Sequence, residues 1–505
     1  MKKINIFLPL LAALFLAGCN LDTTPYDSLT AELLVREKQG IESLVNGNLM
    51  MMKENLSYAE GQQPDARDRY VRHLFHLTEF PSDNVMIVKS TTDNLWYSFN
   101  MEHIPAQLNT SYFWFIGYKI ILNSNKVIES VEINEDTPAD IKHLAGECYF
   151  YRAMVHFDLL RVFARPYSHG PSNPGIVLRL STDEPDDKAR ATVAETFDQI
   201  IADLKKASEL MTQREPGNRA ESVKYASKWA AEALLTRAYL YSERWQDVVT
   251  TGEALLQNAP HRLATRGEYL NSFWNVTQSP EAIFAIYFAP AEEHGKSSLG
   301  SMYNGGPAGA DGWGEIFPSL FFRNKVSTFE EDVRLGLIDT IYNNDGSIKN
   351  YPSTSYQTFY MNKFSNQDGL VSLNSPQYLR LSEVHLNLAE AYAHLNQNNK
   401  ALDHVNTIRE RAGLPVEAMV TEGNLGSFGY ASVLDAVLGE RNLEMCFEGL
   451  RRDDLLRNKI DLNRSFPTAQ NPLNGTDILA WDAARQIYFI PQAEVLNNRL
   501  CEQNP

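Results

Sequence analysis

The chain has 505 residues and carries 46 Lys and Arg against 63 Asp and Glu, a formal net charge of −17. That length excludes a small disulfide scaffold, and that charge repels a phosphate backbone, so nucleic acid is not an expected partner. Of the 4 cysteines, one belongs to the leader described next; the other three, Cys148, Cys446 and Cys501, cannot all pair within one chain.

Lys2 and Lys3 form a basic start, Ile6 to Leu16 is almost uninterrupted apolar sequence, and small residues follow. This is the layout of a secretory signal over residues 1–18, too short to span a membrane. Leu16-Ala17-Gly18-Cys19 resembles a bacterial lipobox, in which cleavage precedes the cysteine and Cys19 becomes the acylated N-terminus. Each buried methylene contributes about 0.8 kcal/mol, so two or more chains hold a protein stably at a bilayer. After the leader, the longest nearly apolar run, Tyr112 to Leu122, includes Lys119 and reads as a buried helix face.

Residues 31–56 predict a first helix, Ser111 to Val131 an aromatic-rich second, and Ala139 to Phe163 a third that ends before Pro166. In the third, Leu144, Cys148, Tyr151, Val155 and Leu159 recur at three- and four-residue spacing, which gives one apolar face. Cys446 also lies in a helical pattern, and both cysteines read as small core residues. Thr192 and Glu195 form a capping box that opens a fourth helix, and Glu215-Pro216-Gly217 stops the chain after it. Lys228 to Pro260 and Leu379 to Pro415 each read as a helix, a short polar turn and a second helix, the unit of tetratricopeptide-like stacks. Residues 259–377 differ: Gly, Pro, Ser, Asn and aromatic residues dominate, with strand-like pieces such as AIFAIYF and a long glycine-rich loop holding Tyr303, Trp313 and Phe317. Such a long loop is commonly functional.

Several chemical motifs fail on inspection. Gly295-Lys296-Ser297 lacks the upstream glycine of a phosphate loop, since Pro290 stands there, and Leu425 replaces the glycine that a nucleophile elbow at Ser427 requires. Asn343 to Ser347 resembles part of a calcium loop, but its first ligand position is Ile341. His73 and His76 share a helix face without acidic or thiolate companions, and Glu390 and His394 read as a polar stripe. No metal and no cofactor is expected. Glu440, Glu444 and Glu448 stack at four-residue spacing beside Arg441, Arg451, Arg452 and Arg457, which predicts a salt-bridge network along and between turns. A glycosidase built on Glu440 or Glu444 is the competing reading, weakened because nearby arginines would keep both carboxylates ionised.

Several segments, in order, resemble the SusD/RagB family of outer-membrane nutrient-binding lipoproteins of Bacteroidetes. They are CNLDTTPYDSLT after the leader, LTEFPSDNV at Leu77 to Val85, AGECYFYRAMVHFDLLRVFARP, ARATVAETFDQIIADLKKA, the second helical hairpin, GERNLEMCFEGLRRDDLLR and the terminal FIPQAEVLNNRLCEQNP. The resemblance implies one mainly α domain over residues 19–505: tetratricopeptide-like hairpins at about 31–258 and 378–460, a loop-rich binding insert at about 259–377 and a C-terminal segment at 461–505. It also implies a non-catalytic lid on a SusC-like TonB-dependent transporter, anchored through Cys19 at the cell surface and binding an oligosaccharide or, in some members, a peptide. A scaffold that binds only proteins is the remaining alternative.

Sugars offer polar rims and apolar C–H faces, so their sites combine flat aromatic platforms with a few amide or charged hydrogen-bonders. Composition points to two segments with that mixture: Asp83, Asn84, Asp93, Asn94, Trp96 and Tyr97 in the early loop, and Tyr303, Asn304 and Trp313 in the glycine-rich one. Trp96 reads equally as a core residue, whereas Trp313, between Gly312 and Gly314, is expected to be exposed.

Overall fold

The computed structural model describes residues 38–57, 65–88, 95–211, 222–306, 312–465 and 477–504. Cys19 and Asn94, and the expected stop at Glu215-Pro216-Gly217, lie outside them. Fifteen helices run through the described residues: α1 Lys38–Lys53, α2 Tyr70–Glu79, α3 Leu95–Asn100, α4 Leu108–Ser130, α5 Ala139–Phe163, α6 Val193–Leu210, α7 Lys228–Tyr241, α8 Trp245–Asn258, α9 Tyr269–Trp274, α10 Leu320–Val326, α11 Leu381–His394, α12 Asn398–Ala412, α13 Val433–Glu444, α14 Arg451–Arg457 and α15 Gln492–Asn497. Eight short strands, numbered β1 to β8 in chain order, form only two-stranded antiparallel pairs: β1 Val85–Ile87 with β3 Ile316–Pro318, β2 Ala282–Ala285 with β6 Gln377–Arg380, β4 Ile338–Thr340 with β5 Phe359–Met361, and β7 Leu462–Asn463 with β8 Ile478–Leu479.

The scaffold is a helical stack whose neighbours in sequence are mostly neighbours in space. α5 packs between α4 and α6, α6 on α7, α7 on α8, and α11 on α12. α5 is buried along almost its whole length, as a helix in the middle of a stack must be. α6 opens with the predicted capping box: Glu195 N–H donates to Thr192 Oγ1 at 3.1 Å, while Thr192 N–H donates to Glu195 Oε2 at 2.8 Å. α8 packs directly on α11, so the stretch between them is extruded from the stack and forms the irregular half. Cys148 is buried in α5, but Cys446 sits in the turn just past α13, where burial raises its thiol to about 11.

The two halves are joined by buried charge. Arg380, at the end of β6, reaches Glu444 Oε1 at 2.6 Å and Glu448 Oε1 at 2.8 Å; Lys363 meets Glu448 at 2.5 Å. Arg334 and Arg409 grip Glu440 from opposite sides at 2.6 and 2.8 Å, and Arg411 completes the set on Glu444 at 2.5 Å. Every one of these groups is buried. Burial opposes ionisation of Glu444, yet Arg411, Arg380 and Arg334 together hold its carboxyl well below the usual range.

This corrects the expected pairing pattern. The three glutamates use cations from distant segments, while Arg441 and Arg457 turn to Asp454, Arg451 to Asp83, and Arg452 to Asp453. Glu390 is no surface stripe either; it is fully buried against Arg457, and His394 stacks on Trp245 at 3.9 Å. Glu440 and Glu444 have no exposed surface, so no glycosidic bond can reach them.

Candidate functional site

The early and glycine-rich segments meet through the β1–β3 ribbon. Val85 pairs with Pro318 and Ile87 with Ile316, and Val88 N–H extends the ladder to the Glu315 carbonyl at 3.0 Å. Val88 therefore stands at the same ribbon end at which Trp313 and Gly314 arrive. Met86, Val88, Phe317, Tyr351 and Tyr360 pack a small aromatic core under this end.

Trp313 is held out of that core by its neighbours. A Cβ on Gly312 would lie 2.0 Å from the Asn304 carbonyl oxygen, and one on Gly314 would lie 2.6 Å from the Tyr360 ring. Gly314 also has φ +54°, a region that favours glycine. Both Trp313 N–H and Gly314 N–H donate to the Ser301 carbonyl, at 2.7 and 2.8 Å. The indole Nε1–H donates to the Lys296 carbonyl at 2.9 Å, and the Lys296 ammonium lies 4.9 Å from the ring centroid. The result is an indole that is 39% exposed but fixed at three points. Tyr97, on α3, is comparably exposed, and Trp96 beside it is half-buried against the main core.

Four other residues chosen from composition are corrected by their burial. Asp83 forms a two-pronged pair with Arg451, both contacts at 2.8 Å. Asn84 donates to Glu79 at 3.2 Å, Asn304 donates to Asn362 and Ser365, and Tyr303 lies among Phe80, His76, Phe364 and Phe447. None of the four presents surface to a ligand; they build the frame beneath the loops.

A cleft that composition did not reveal opens beside the same loop. Two residues past Lys296, Ser298 lines a void of about 300 Å³, open mouth included, together with Arg69, Arg72, Phe288, His294 and Asn374. Glu292 also lines it but is engaged by Lys53 at 2.5 Å. Arg69 donates through Nη1 to the Ala66 carbonyl at 2.7 Å, yet its Nε has no partner and it has no ion pair among the described residues. Ser298 Oγ, Asn374 Oδ1 and His294 Nε2 also lack hydrogen-bond partners. Arg69, Ser298 and Asn374 are all more than nine-tenths buried. Burial lowers the Arg69 guanidinium and, with Arg69 itself, the His294 imidazole. In sequence, the only trace is an arginine-rich stretch before α2; the serine and asparagine are contributed from positions 298 and 374, which no local pattern connects. A different cleft, between Tyr167, Phe197 and Tyr241, is lined by Arg161 and Arg457, which are already committed to Asp453 and Glu390.

Comparison with known proteins identifies the architecture. Residues 36–240 match the SusD-like profile described as starch-binding, associating with outer membrane, and residues 332–505 match the SusD family profile. The chain belongs to the SusD/RagB family. SusD-like protein P2 of Formosa agariphila is 25% identical over 431 residues, 78% of this chain and 80% of its own length; SusD-like protein P38 of the same organism is 25% identical over 471 residues, covering 86% and 87%. Among solved structures, a SusD superfamily protein from Bacteroides thetaiotaomicron aligns with TM-score 0.79 at 24% identity over 93% of this chain and 99% of its own. A SusD-like carbohydrate binding protein from Bacteroides vulgatus aligns with TM-score 0.76 at 20% identity over 92% and 97%. SusD family proteins are outer-membrane-associated binding proteins rather than enzymes. Among the described residues, no helix is long and apolar enough to cross a membrane, and no group of three or more potential metal ligands occurs. The two profile matches stop on either side of residues 241–331, the stretch that carries Lys296, Ser298 and Trp313.

Proposed function

We propose that this SusD/RagB chain captures oligosaccharides at the cell surface, anchored by acylated Cys19, as the non-catalytic lid of a SusC-like TonB-dependent transporter. The observation that carries the reading is Trp313: a large indole fixed by two short backbone contacts and its own N–H, yet left open to solvent. A rigid, exposed aromatic face suits the apolar side of a sugar ring, since little conformational freedom is lost when it binds. Tyr97, Trp96 and Asn94 supply the other aromatic and amide groups of the proposed site. The leader and its cysteine supply the tether, which keeps a lid beside its pore by raising its effective concentration there.

Isothermal titration calorimetry against a panel of oligosaccharides tests the reading. Trp313→Ala is expected to weaken the best ligand at least about tenfold, or ~1.4 kcal/mol, while the melting temperature stays nearly constant. Undiminished affinity removes Trp313 from the site; preferential retention of peptides from a mixed pool, read by mass spectrometry, favours a peptide carrier instead. Metabolic labelling with a radioactive fatty acid is expected to mark the wild-type chain and to be lost in Cys19→Ala.

A further inference from the structure

Glu79 is the last residue of α2 and has no exposed surface. Its carboxyl is out of water and at the negative end of a helix dipole, and both disfavour its charged form. Three donors surround it: Ser82 Oγ and Asn84 Nδ2 donate to Oε1, each at 3.2 Å, and Gly449 N–H donates to Oε2 at 2.9 Å. All three are neutral, unlike the guanidinium groups that hold Glu440 and Glu444. The turn that Glu79 opens is also the root of the β1–β3 ribbon. Asn84 immediately precedes β1, and its carbonyl accepts from Ser319 N–H at 2.7 Å, just past β3; Ser319 Oγ donates to the Asp83 carbonyl at 2.7 Å. At its other end β3 continues into the arm that bears Trp313.

The hydrogen bonds show how this turn accommodates a proton. Gly449 N–H occupies Oε2, so the proton belongs on Oε1 and needs an acceptor. Asn84 Oδ1 is buried and has no partner. Turning the amide over brings that oxygen to Oε1 and reverses the bond: Glu79 donates and Asn84 accepts. Burial raises the Glu79 carboxyl from 4.5 to about 7. The groups that face it hold their charge state over this range. Asp83, which raises Glu79 further, is itself kept ionised by Arg451 of α14. Burial keeps Tyr303 and Cys446 protonated and His76 unprotonated. Arg464 donates to the Phe80 and Ser82 carbonyls of the same turn, and Arg72, seven residues back on α2, faces Tyr303.

We infer that Glu79 and Asn84 form a proton-operated lock at the root of the β1–β3 ribbon: with its proton Glu79 seals the turn from Phe80 to Asn84, and loss of the proton loosens it. The direction follows from linkage. An opening that exposes Glu79 returns its carboxyl to the ordinary range and releases a proton. Opening is therefore favoured as pH rises from 4.5 to about 7, by up to about tenfold per pH unit, and levels off above that window. The ribbon that aims the Trp313 arm is thus held more firmly on the acid side of neutrality. The lock does not depend on which ligand the arm receives.

Hydrogen exchange of the intact chain, read by mass spectrometry on peptides covering 79–88 and 312–319, tests this. With intrinsic exchange rates divided out, wild-type protection in both peptides is expected to fall as pH rises from 5 to 7, by up to about tenfold per unit, and then to level off. Glu79→Gln, neutral at every pH and able to donate to Asn84 Oδ1, is expected to keep the acid-side protection throughout. Protection in the wild type that is independent of pH overturns the lock, and so does an equal fall in Glu79→Gln. Should that variant not fold, infrared spectra of the wild type labelled with carbon-13 glutamate decide the matter. A protonated-carboxyl band that disappears with a midpoint near 7 supports the lock, and absence of that band at pH 6 overturns it.

Discussion

The inter-half joint and the loop surface around Trp313 handle polarity in opposite ways. In the joint, five cations meet the three carboxylates of α13 and its following turn, and each carboxylate is held by at least two of them. Around Trp313 and Arg69, side chains are held just as firmly by backbone carbonyls, but one aromatic face and several hydrogen-bonding atoms remain free. Rigidity is common to both; charge pairing is not. Charges that neutralise one another specify a packing, whereas an open aromatic face and unpaired polar atoms leave room for a ligand.

The sharpest way to break this contrast is to remove one charge from the joint. Glu444→Gln leaves Arg380 and Arg411 short of a counter-charge in a sealed environment and is expected to cost about 3–5 kcal/mol, read from urea unfolding. A loss below ~1 kcal/mol would mean that the joint behaves like surface ion pairs. Next in size, Gly314→Ala adds a Cβ 2.6 Å from Tyr360 at φ +54°. Its expected cost is roughly 1–3 kcal/mol, accompanied by weaker glycan binding as Trp313 shifts, which distinguishes it from the purely structural joint variant. The smallest effect concerns Glu79, buried at the border of the two regions with Asn84, Ser82 and Gly449 N–H as donors. Burial outweighs those donors and raises its carboxyl from 4.5 to about 7. Between those values the folded chain keeps a proton that the unfolded chain has released, so Glu79 makes stability decline as pH rises through this window. Glu79→Gln is expected to flatten that decline, by at most ~1.4 kcal/mol per pH unit, in urea midpoints measured from pH 4.5 to 7.5.

What could be read from the sequence follows the range over which each interaction acts. The Thr192–Glu195 cap, the limits of α5 and the two helical hairpins depend on residues a few positions apart, and the structure contains them. The α13 glutamates were recognisable as an ion-pair network, but their partners come from as far away as Arg334, beyond any local rule. The glycine-rich loop shows the same limit at finer scale. Tyr303 and Trp313 sit ten positions apart in similar company, yet one is sealed among four aromatic rings and the other faces solvent. The difference is set by the backbone of 312–314 pressing on Asn304, Gly305 and Tyr360, a tertiary contact. Arg69, Ser298 and Asn374 were out of reach for the same reason.

The arm bearing Trp313 leaves one end of a ribbon only three residues long on each side. Anyone grafting a new specificity onto this scaffold must keep that arm's length, because so short a ribbon would twist to accommodate a longer or shorter one and re-aim the indole.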